Sequence, residues 1–442
     1  MTCPIRHITD HRHTCPKSHL TVHATQPPPR ALVDRAISEL DRRLARTLRA
    51  LLQHPDVQRL EALWRGLHRL LEHARPHDNI RVDLLCCSQA GLQADFERAD
   101  DPTLAGLHHL VYTRAYGSFG GQPYGLLCAA YRFGPDPDDL ALLRRCAAVA
   151  ALAHAPFIAD AAPALLGLHA HPEIPRLRDL DAAQTGPRFA AWHAFRASPE
   201  ARHVALCLPR FLLRAPHSPT SSPNQPLRFH EHIDHPDQLL WGSAALLLAM
   251  RTADAFAEQR WCVGLVGTRG GPALLRLTRP VVTHATLELL LPPRCERAIA
   301  SAGLVAFTVD RATGRAIARE APTTQRLPDS DNLAAQLPYV LLVSRLAHYL
   351  QRVQRERVGQ WDDRAALQRE LDLWLRQYVA DMDDPPPEVR ARKPLRRATV
   401  TLDPSPDQAG WHRCHLSVVP HLTHLGRPLT LDLIGRLERA SR

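Results

Sequence analysis

From Arg30 onward the apolar positions recur at intervals of three and four: Leu32, Val33, Ala36, Ile37, Leu40, Leu44, Leu48 and Leu51. That spacing lays one apolar stripe along a helix. His54-Pro55 breaks it, and Val57, Leu60, Leu63, Trp64, Leu67, Leu70 and Leu71 form a second stripe. Two helices with a short break predict an arm or a hairpin. The period then changes. Ile80-Arg81-Val82-Asp83-Leu84 alternates and predicts a strand with one buried face. Leu92–Ala99 reads as helix, and Tyr124–Phe133, bounded by Gly120-Gly121 and Gly134-Pro135, as a buried strand. Asp138–His154 predicts an alanine-rich helix whose first turn, with Asp136, Asp138 and Asp139, suits the positive end of the helix dipole. His203–Leu208 and Trp261–Val266 predict strands, and Leu239–Gln259 a helix.

The C-terminal third carries two long helical patterns, Asn332–Arg357 and Arg364–Ala380, closed by Asp383–Pro387. Within the first, Leu337–Leu350 is apolar almost all round as far as Val343, so it predicts a buried helix. Arg345 and His348, three apart, give it one polar face to meet a neighbouring element. Ala398–Leu402, Trp411–Val419 and Pro428–Leu437 read as three strands. With no regular βαβ alternation and no repeat at solenoid spacing, the fold class expected is α+β, a mixed α/β chain. Residues 1–29 stand apart: polar, with five histidines, and closed by Pro27-Pro28-Pro29, they predict a disordered leader.

Length and composition narrow the functions. The chain has 442 residues, 45% of them hydrophobic, enough for two or three domains with sizeable cores. Lys+Arg is 55 against Asp+Glu 45, giving a formal charge of +10, and Lys17 and Lys393 are the only lysines. Neither stands in a Gly-Lys-Ser/Thr sequence, so no P-loop exists, and lysine Schiff-base chemistry is nearly excluded. The ten cysteines form no C-x-x-C pair, which argues for a reducing compartment and against a disulfide framework or zinc ribbon. No apolar run approaches the ~18 residues of a membrane span, and the N-terminus is not a signal peptide. A soluble, cytoplasmic protein is expected.

Candidate chemistry is sparse. Cys3, His7, His11, His13, Cys15, His19 and His23 are metal-binding residue types, but their spacing matches no closed zinc module. His230-Glu231-His232-Ile233-Asp234-His235 is not H-E-x-x-H and reads as a surface loop. Gly117-Ser118-Phe119-Gly120-Gly121 is not a nucleophile elbow; its glycines predict a tight turn. No nucleophile, base and oxyanion donor assemble in recognisable form, so no metal and no cofactor are expected. A metal-dependent hydrolase built on the histidine clusters and a basic nucleic-acid-binding protein are the alternative readings. Aromatics at 5%, not interleaved with basic runs, serve base stacking poorly.

A set of long, ordered motifs adds to this. HPDVQRLEALWRGLHRLL at His54–Leu71, YGSFGGQPYGLL at Tyr116–Leu127, HAPFIADAAPALLGL at His154–Leu168 and ARHVALCLPRFLLRAP at Ala201–Pro216 come first. WGSAALLLA at Trp241–Ala249, LPYVLLVSRLAHYL at Leu337–Leu350, ARKPLRRATVTL at Ala391–Leu402 and VPHL at Val419–Leu422 follow. Over Arg30 to the C-terminus the chain resembles the large subunit of the type VI secretion contractile sheath, the TssC, VipB or ImpC family. The resemblance implies a phage-tail-sheath-like subunit with no enzymatic activity. It would pair with a small sheath subunit (TssB/VipA-like) and assemble helically around an inner tube (Hcp-like) on a baseplate, with an AAA+ unfoldase (ClpV) recycling the contracted sheath. On that basis residues 30–75 form a helical arm that packs with the small subunit through Leu40, Leu44, Leu48, Leu51, Leu60, Trp64 and Leu67. Residues 76–330 form the sheath body. Residues 331–442 form an inner domain whose strands, through Val400, Leu402, His412, Leu416 and Val418, meet neighbouring subunits, with Arg392, Lys393, Arg396 and Arg397 as charged inner contacts. The alternative for the arm is that both stripes bury on the chain's own core. Two departures stand out: the His/Pro leader replaces a longer segment associated with unfoldase recognition, which sets the ClpV partnership apart from the rest, and Gly270–Leu290 is short for the family.

Overall fold

A computed structural model of the chain describes residues 29–438, apart from 100, 119, 170–172, 175–179, 219–228, 268–271, 276–285, 311, 328–333, 357–363, 383, 405–410 and 422–430. The residue 1–28 part of the leader, with its histidines and cysteines, lies outside the described residues. Those described fall into two units, one reaching to Leu51 and including His217–Glu231, the other holding Leu52–Pro216 and His232 onward.

The first unit is built on α1 (Arg30–Leu52). On its polar face the Ser38 and Thr47 hydroxyls donate to the carbonyls of Asp34 and Arg43, and Glu39 holds both Arg42 and Arg43. In the same unit the Glu231 carboxylate accepts from His217 N at 3.0 Å, and Glu231 N donates back to the His217 carbonyl at 2.9 Å.

The second unit starts at α2 (Pro55–His73), where the break read at His54-Pro55 works as a cap: His54 Nδ1 accepts from Asp56 N, and Pro55 sits in the first turn, where its missing N–H costs nothing. α3 is Gln89–Arg98. The sheet that organises the unit runs β1 (Leu127–Phe133), β2 (Phe157–Ala161), β3 (Val204–Leu208), β6 (Leu304–Val309) and β7 (Ala316–Ala318), in that order. The first four strands are parallel and β7 is antiparallel. Two short strands, β4 (Phe211–Leu212) and β5 (Trp241–Gly242), pair apart from it. Successive side chains on the central strands enter opposite cores, as the pleat requires. Phe157, Ala159, Val204, Leu206, Leu304 and Ala306 meet α4 (Pro137–Leu152), α5 (Ala190–Arg196) and α7 (Pro293–Ser301) on one face. Ile158, Ala205, Cys207, Val305 and Phe307 meet α6 (Ala244–Gln259) on the other.

This parallel sheet is less visible in the sequence than the rest. β2 and β6 are short and buried on both faces, each with a single polar residue, so they show no apolar–polar alternation. Conversely β1, expected to be buried throughout, is an edge strand with alternate residues exposed. The alternating run Ile80–Leu84 is irregular: among the described residues no strand pairs with it. It is held as extended chain by side chains instead, with Tyr124 donating to Asp83 at 2.8 Å and Tyr131 to the Cys87 carbonyl at 2.7 Å. Trp261–Val266 is likewise irregular, and Trp261 and Val263 are buried in the C-terminal core.

Asp160 is one of several polar residues buried in the body. Asp160 on β2 takes the place of a local cap for α6: its Oδ1 accepts from Ser243 Oγ and Ala245 N, both at 2.9 Å, where the helix leaves amides unpaired. Burial pushes this carboxyl up to about 6, against those two hydrogen bonds and the nearby Arg132 and Arg210 guanidiniums. Asp160→Ala strands two buried donors, so we expect it to destabilise the fold by about 2–3 kcal/mol in urea unfolding at neutral pH. Asp160→Asn, whose amide oxygen still accepts, should recover most of that.

The C-terminal module packs α8 (Leu337–Glu356) and α9 (Arg364–Arg376), then α10 (Pro387–Arg392), with an antiparallel sheet of β8 (Leu395–Pro404), β9 (Trp411–Pro420) and β10 (Leu431–Glu438) in the order β10-β9-β8. Leu342, Leu346, Leu350, Leu367, Leu371 and Leu375 from the helices meet Val400, Leu402, Cys414, Leu416 and Val418 from the sheet. The polar face expected on α8 is present. The Arg345 guanidinium lies 4.5 Å from the Trp261 ring centroid and 5.0 Å from that of Phe256, and it donates to the Arg260 carbonyl. One turn on, His348 Nε2 donates to the Ala153 carbonyl at 2.8 Å.

Candidate assembly interfaces

α1 has no buried residue along its 23 positions. Helices of this kind gain most of their stability from packing an apolar face, yet Leu32, Ile37, Leu40, Leu44 and Leu51 are exposed, with Leu40 at 58% and Leu44 at 52%. Leu48 is half-buried. Each such leucine left in water forgoes roughly 1.5–3 kcal/mol of burial, and together they form the kind of contiguous apolar strip that marks an interaction site.

α2 divides its stripe. Gly66 and Leu70 turn inward onto α6, so closely that a Cβ at Gly66 would stand 2.5 Å from Leu246 Cδ1. Leu60, Leu63, Trp64 and Leu71 stay exposed, Leu60 at 57% and Trp64 at 59%, while Leu67 is half-buried. The own-core alternative therefore holds for one face of α2, and the outer face keeps Leu60 and Trp64 together.

In the C-terminal module Val400, Leu402, Leu416 and Val418 are not surface residues. Their side chains fill the chain's own core, because the inward residues of these strands alternate with the outward ones. Any part they take in a contact between subunits is confined to main-chain groups. His412 pairs through its backbone with Pro404 on one side and Leu437 on the other. Arg392, Lys393, Arg396 and Arg397 are all exposed. The register of β8 shifts between Leu395 and Arg397, a bulge that lets the consecutive residues Arg396 and Arg397 both reach solvent.

The histidine-rich loop does not build a metal site. His232 Nε2 contacts Asp234 at 2.9 Å, and His235 caps the short turn Pro236–Gln238. Among the described residues no three His, Cys, Asp or Glu side chains come together as metal ligands.

The model of the EvpB/VC_A0108 tail sheath N-terminal domain matches residues 34–325, and that of the EvpB/VC_A0108 tail sheath gpW/gp25-like domain matches residues 328–437. The chain belongs to this tail sheath family. It is 29% identical over 431 residues to the type VI secretion system sheath protein TssC1 of Pseudomonas aeruginosa, a match covering 92% of this chain and 86% of the relative. Among solved structures it is similar to the sheath tail protein of Desulfitobacterium hafniense at 10% identity and a TM-score of 0.33, over 67% of this chain and 60% of that one. The family found is the one the eight motifs pointed to, and it is a family of structural sheath proteins. No helix among the described residues is long and apolar enough to cross a membrane.

Two features of the tail sheath C-terminal module were not legible in the sequence. The segment around Val379 bridges to Leu395 in parallel, and Gln368 on α9 donates to the Val400 carbonyl at 3.1 Å. Both fasten the start or middle of β8 from outside its strand ladder.

Proposed function

We propose that the chain is the large subunit of a type VI contractile sheath and that it pairs with a small sheath subunit through α1 and the outer face of α2. The heterodimers stack helically around an inner tube on a baseplate in the bacterial cytoplasm, and contraction of the stack drives the tube outward. The stored energy lies in subunit packing and needs no nucleotide, consistent with a chain that has no P-loop. The single observation that carries the pairing is α1: an amphipathic helix of 23 residues with none of them buried. The exposed stripe of Leu40, Leu44 and Leu51, with Leu60 and Trp64 on α2, suits the groove-binding of one amphipathic helix by another. The basic residues Arg392, Lys393, Arg396 and Arg397 are assigned to acidic faces of the inner tube or of adjacent subunits.

Co-expression with the small subunit and pull-down test the pairing. Leu44→Asp with Leu48→Asp should reduce capture at least 100-fold while the thermal midpoint of the chain alone stays within about 2 °C, because neither leucine belongs to a core. Intact capture by the double variant would remove α1 from the interface. Negative-stain microscopy of the wild-type pair should show tubes; monodisperse globular particles would overturn the sheath assignment for this chain.

A further inference from the structure

The polar face of α8 holds the body at two points, and both are the ends of body helices. The last carbonyls of a helix have no partner within it and form the negative end of its dipole, so a donor or a cation is favoured there. Arg345 donates to the carbonyl of Arg260, the left-handed residue (φ 63) that closes α6. His348 Nε2 donates to the carbonyl of Ala153, which closes α4, at 2.8 Å. α4 and α6 lie on opposite faces of the body sheet. These two hydrogen bonds, one helical turn apart on α8, therefore tie the C-terminal module to both layers of helices.

The two points differ in chemistry. The Arg345 guanidinium is always charged and rests on the Phe256 and Trp261 rings. His348 instead ends a row of rings. His108, Tyr112 and Tyr116, in and beside the π-helical turn His109–Arg114, follow one another at 4.9 and 5.1 Å. Tyr116 meets His348 at 5.7 Å, and His154 lies 6.3 Å from His348. The turn Pro199–His203 brings His203 and Arg202 toward His154, while its Glu200 lines a separate cavity with Arg144. On α8 itself the charged residues one turn away are Arg345 and Arg352. Among the described residues no carboxylate pairs with His154, His203 or His348, whereas the half-buried His73 meets Asp254 at 2.7 Å. A protonated imidazole has two N–H donors to place. Among the described residues the hydrogen bond from His348 to Ala153 is the only one these three rings make, and His203 Nδ1 is buried without a partner.

We propose that His348 is an acid-releasable latch: when the cluster takes up protons, α8 parts from the end of α4 while Arg345 keeps its hold on the end of α6. The joint then changes from a rigid tie between body and C-terminal module into a hinge about Arg345. Protons reach the cluster without prior unfolding, because all three rings are only half-buried. Once there, two or three cations share one small space beside Arg202 with no anion to offset them. The Ala153 carbonyl at the α4 terminus favours a cation at His348, but burial and the neighbouring His154 outweigh it. Burial holds His203 and His348 down to about 4 in the closed joint, and an opened joint returns them toward the ordinary 6.5. The open form therefore binds more protons below pH 6.5, and acid favours it. Between pH 7.5 and pH 5 each imidazole so released shifts the balance toward opening about thirtyfold.

The test is amide hydrogen exchange on the full chain at pH 7.5 and pH 5, corrected for the intrinsic rate at each pH. Residues 106–117 and 150–155, which line the latch, should lose at least thirtyfold of their protection at pH 5 and end well below the amides of β2 and β3. His348→Gln keeps a donor for the Ala153 carbonyl and cannot be charged. It should match wild type at pH 7.5 and recover about thirtyfold of the lost protection at pH 5, a pH-specific rescue that a purely structural role for His348 would not give. Should His348→Gln fail to fold, His154→Asn, which suits the left-handed backbone there and removes the neighbouring imidazole, should rescue in the same direction by a smaller factor. Equal protection of the latch segments and of β2 and β3 at pH 5 would overturn the latch, since the unit would then be opening as a whole. Protection that does not change with pH, or a loss at pH 5 that neither variant reduces, would overturn it as well.

Discussion

Between pH 6.5 and pH 4 the second unit is expected to lose about 2–4 kcal/mol of stability, read as a falling urea midpoint. The source is a cluster of neutral histidines between the body and α8. His154, in the left-handed region at φ 49, follows α4; His203 ends the turn before β3; His348 projects from α8. The His154 and His348 rings lie 6.3 Å apart, and Tyr116 stands edge-on to His348 at 5.7 Å. Burial pushes both His203 and His348 down to about 4, with the proximity of His154 adding to each and Arg202 to the first, while the Ala153 carbonyl opposes the shift at His348. His154 is lowered by burial as well.

The sign follows from proton counts. In the unfolded chain these imidazoles take up protons near pH 6.5; in the fold they resist until about pH 4. The unfolded state therefore binds more protons throughout that window, and stability present above pH 6.5 is lost as the pH falls. Asp160 acts in the opposite sense, since its folded value near 6 lies above the ordinary 3.8 and protonation between those values favours the fold. Two imidazoles resisting across about 2.5 pH units, against one carboxyl gaining across about 2, leave roughly 4 kcal/mol at about 1.4 kcal/mol per unit. Partial exposure of the rings brings this toward the lower figure. His348→Gln should keep a donor to the Ala153 carbonyl and flatten the slope by close to one proton. A urea midpoint that does not move between pH 6.5 and pH 4 would rule the cluster out as the source.

What could be read from the sequence divides by the length and sidedness of each pattern. α1, α2 and α8 carry stripes over four or more turns, and their helices were legible to within a few residues. The C-terminal strands were legible too, because Val400 and Leu402, then Cys414, Leu416 and Val418, alternate with polar neighbours against a single buried face. β2 and β6 have helices on both faces, so short runs buried on both sides, with one polar residue each (Asp160, Thr308), gave no period to find. Ile80–Leu84 shows the converse, an alternation with no strand paired to it among the described residues. Among the candidate interface residues on α1 and α2, Leu40, Leu44, Leu51, Leu60 and Trp64 are exposed and Leu48 and Leu67 half-buried. Those on β8 and β9 were assigned by strand but not by face, since alternation alone does not say which side is the core. Gln368 was out of reach: its hydrogen bond to the Val400 carbonyl joins residues 32 apart in the chain.

Leu416→Asp should unfold the C-terminal module outright, whereas Leu44→Asp leaves the fold intact. Leu416 is 0% exposed at the centre of β9, between the helices that carry Leu346, Leu371 and Leu375. A carboxylate there has no partner and loses the leucine's packing as well, a combination that exceeds about 4 kcal/mol. Leu416→Ala isolates the packing part and should cost about 2–5 kcal/mol through the cavity it leaves. The same logic governs truncation. Removing residues from Ala398 onward takes away Val400, Leu402, Cys414, Leu416 and Val418 together and strips the sheet side from that core, so the truncated chain should aggregate rather than persist as a heterodimer that merely fails to polymerise. Circular dichroism melts and sedimentation of the co-expressed pair distinguish these outcomes. If Leu416→Asp melted as wild type while losing tubes, β9 would be a contact surface and its inward face would not be core; loss of the melt and the tubes together is the result expected of a core residue.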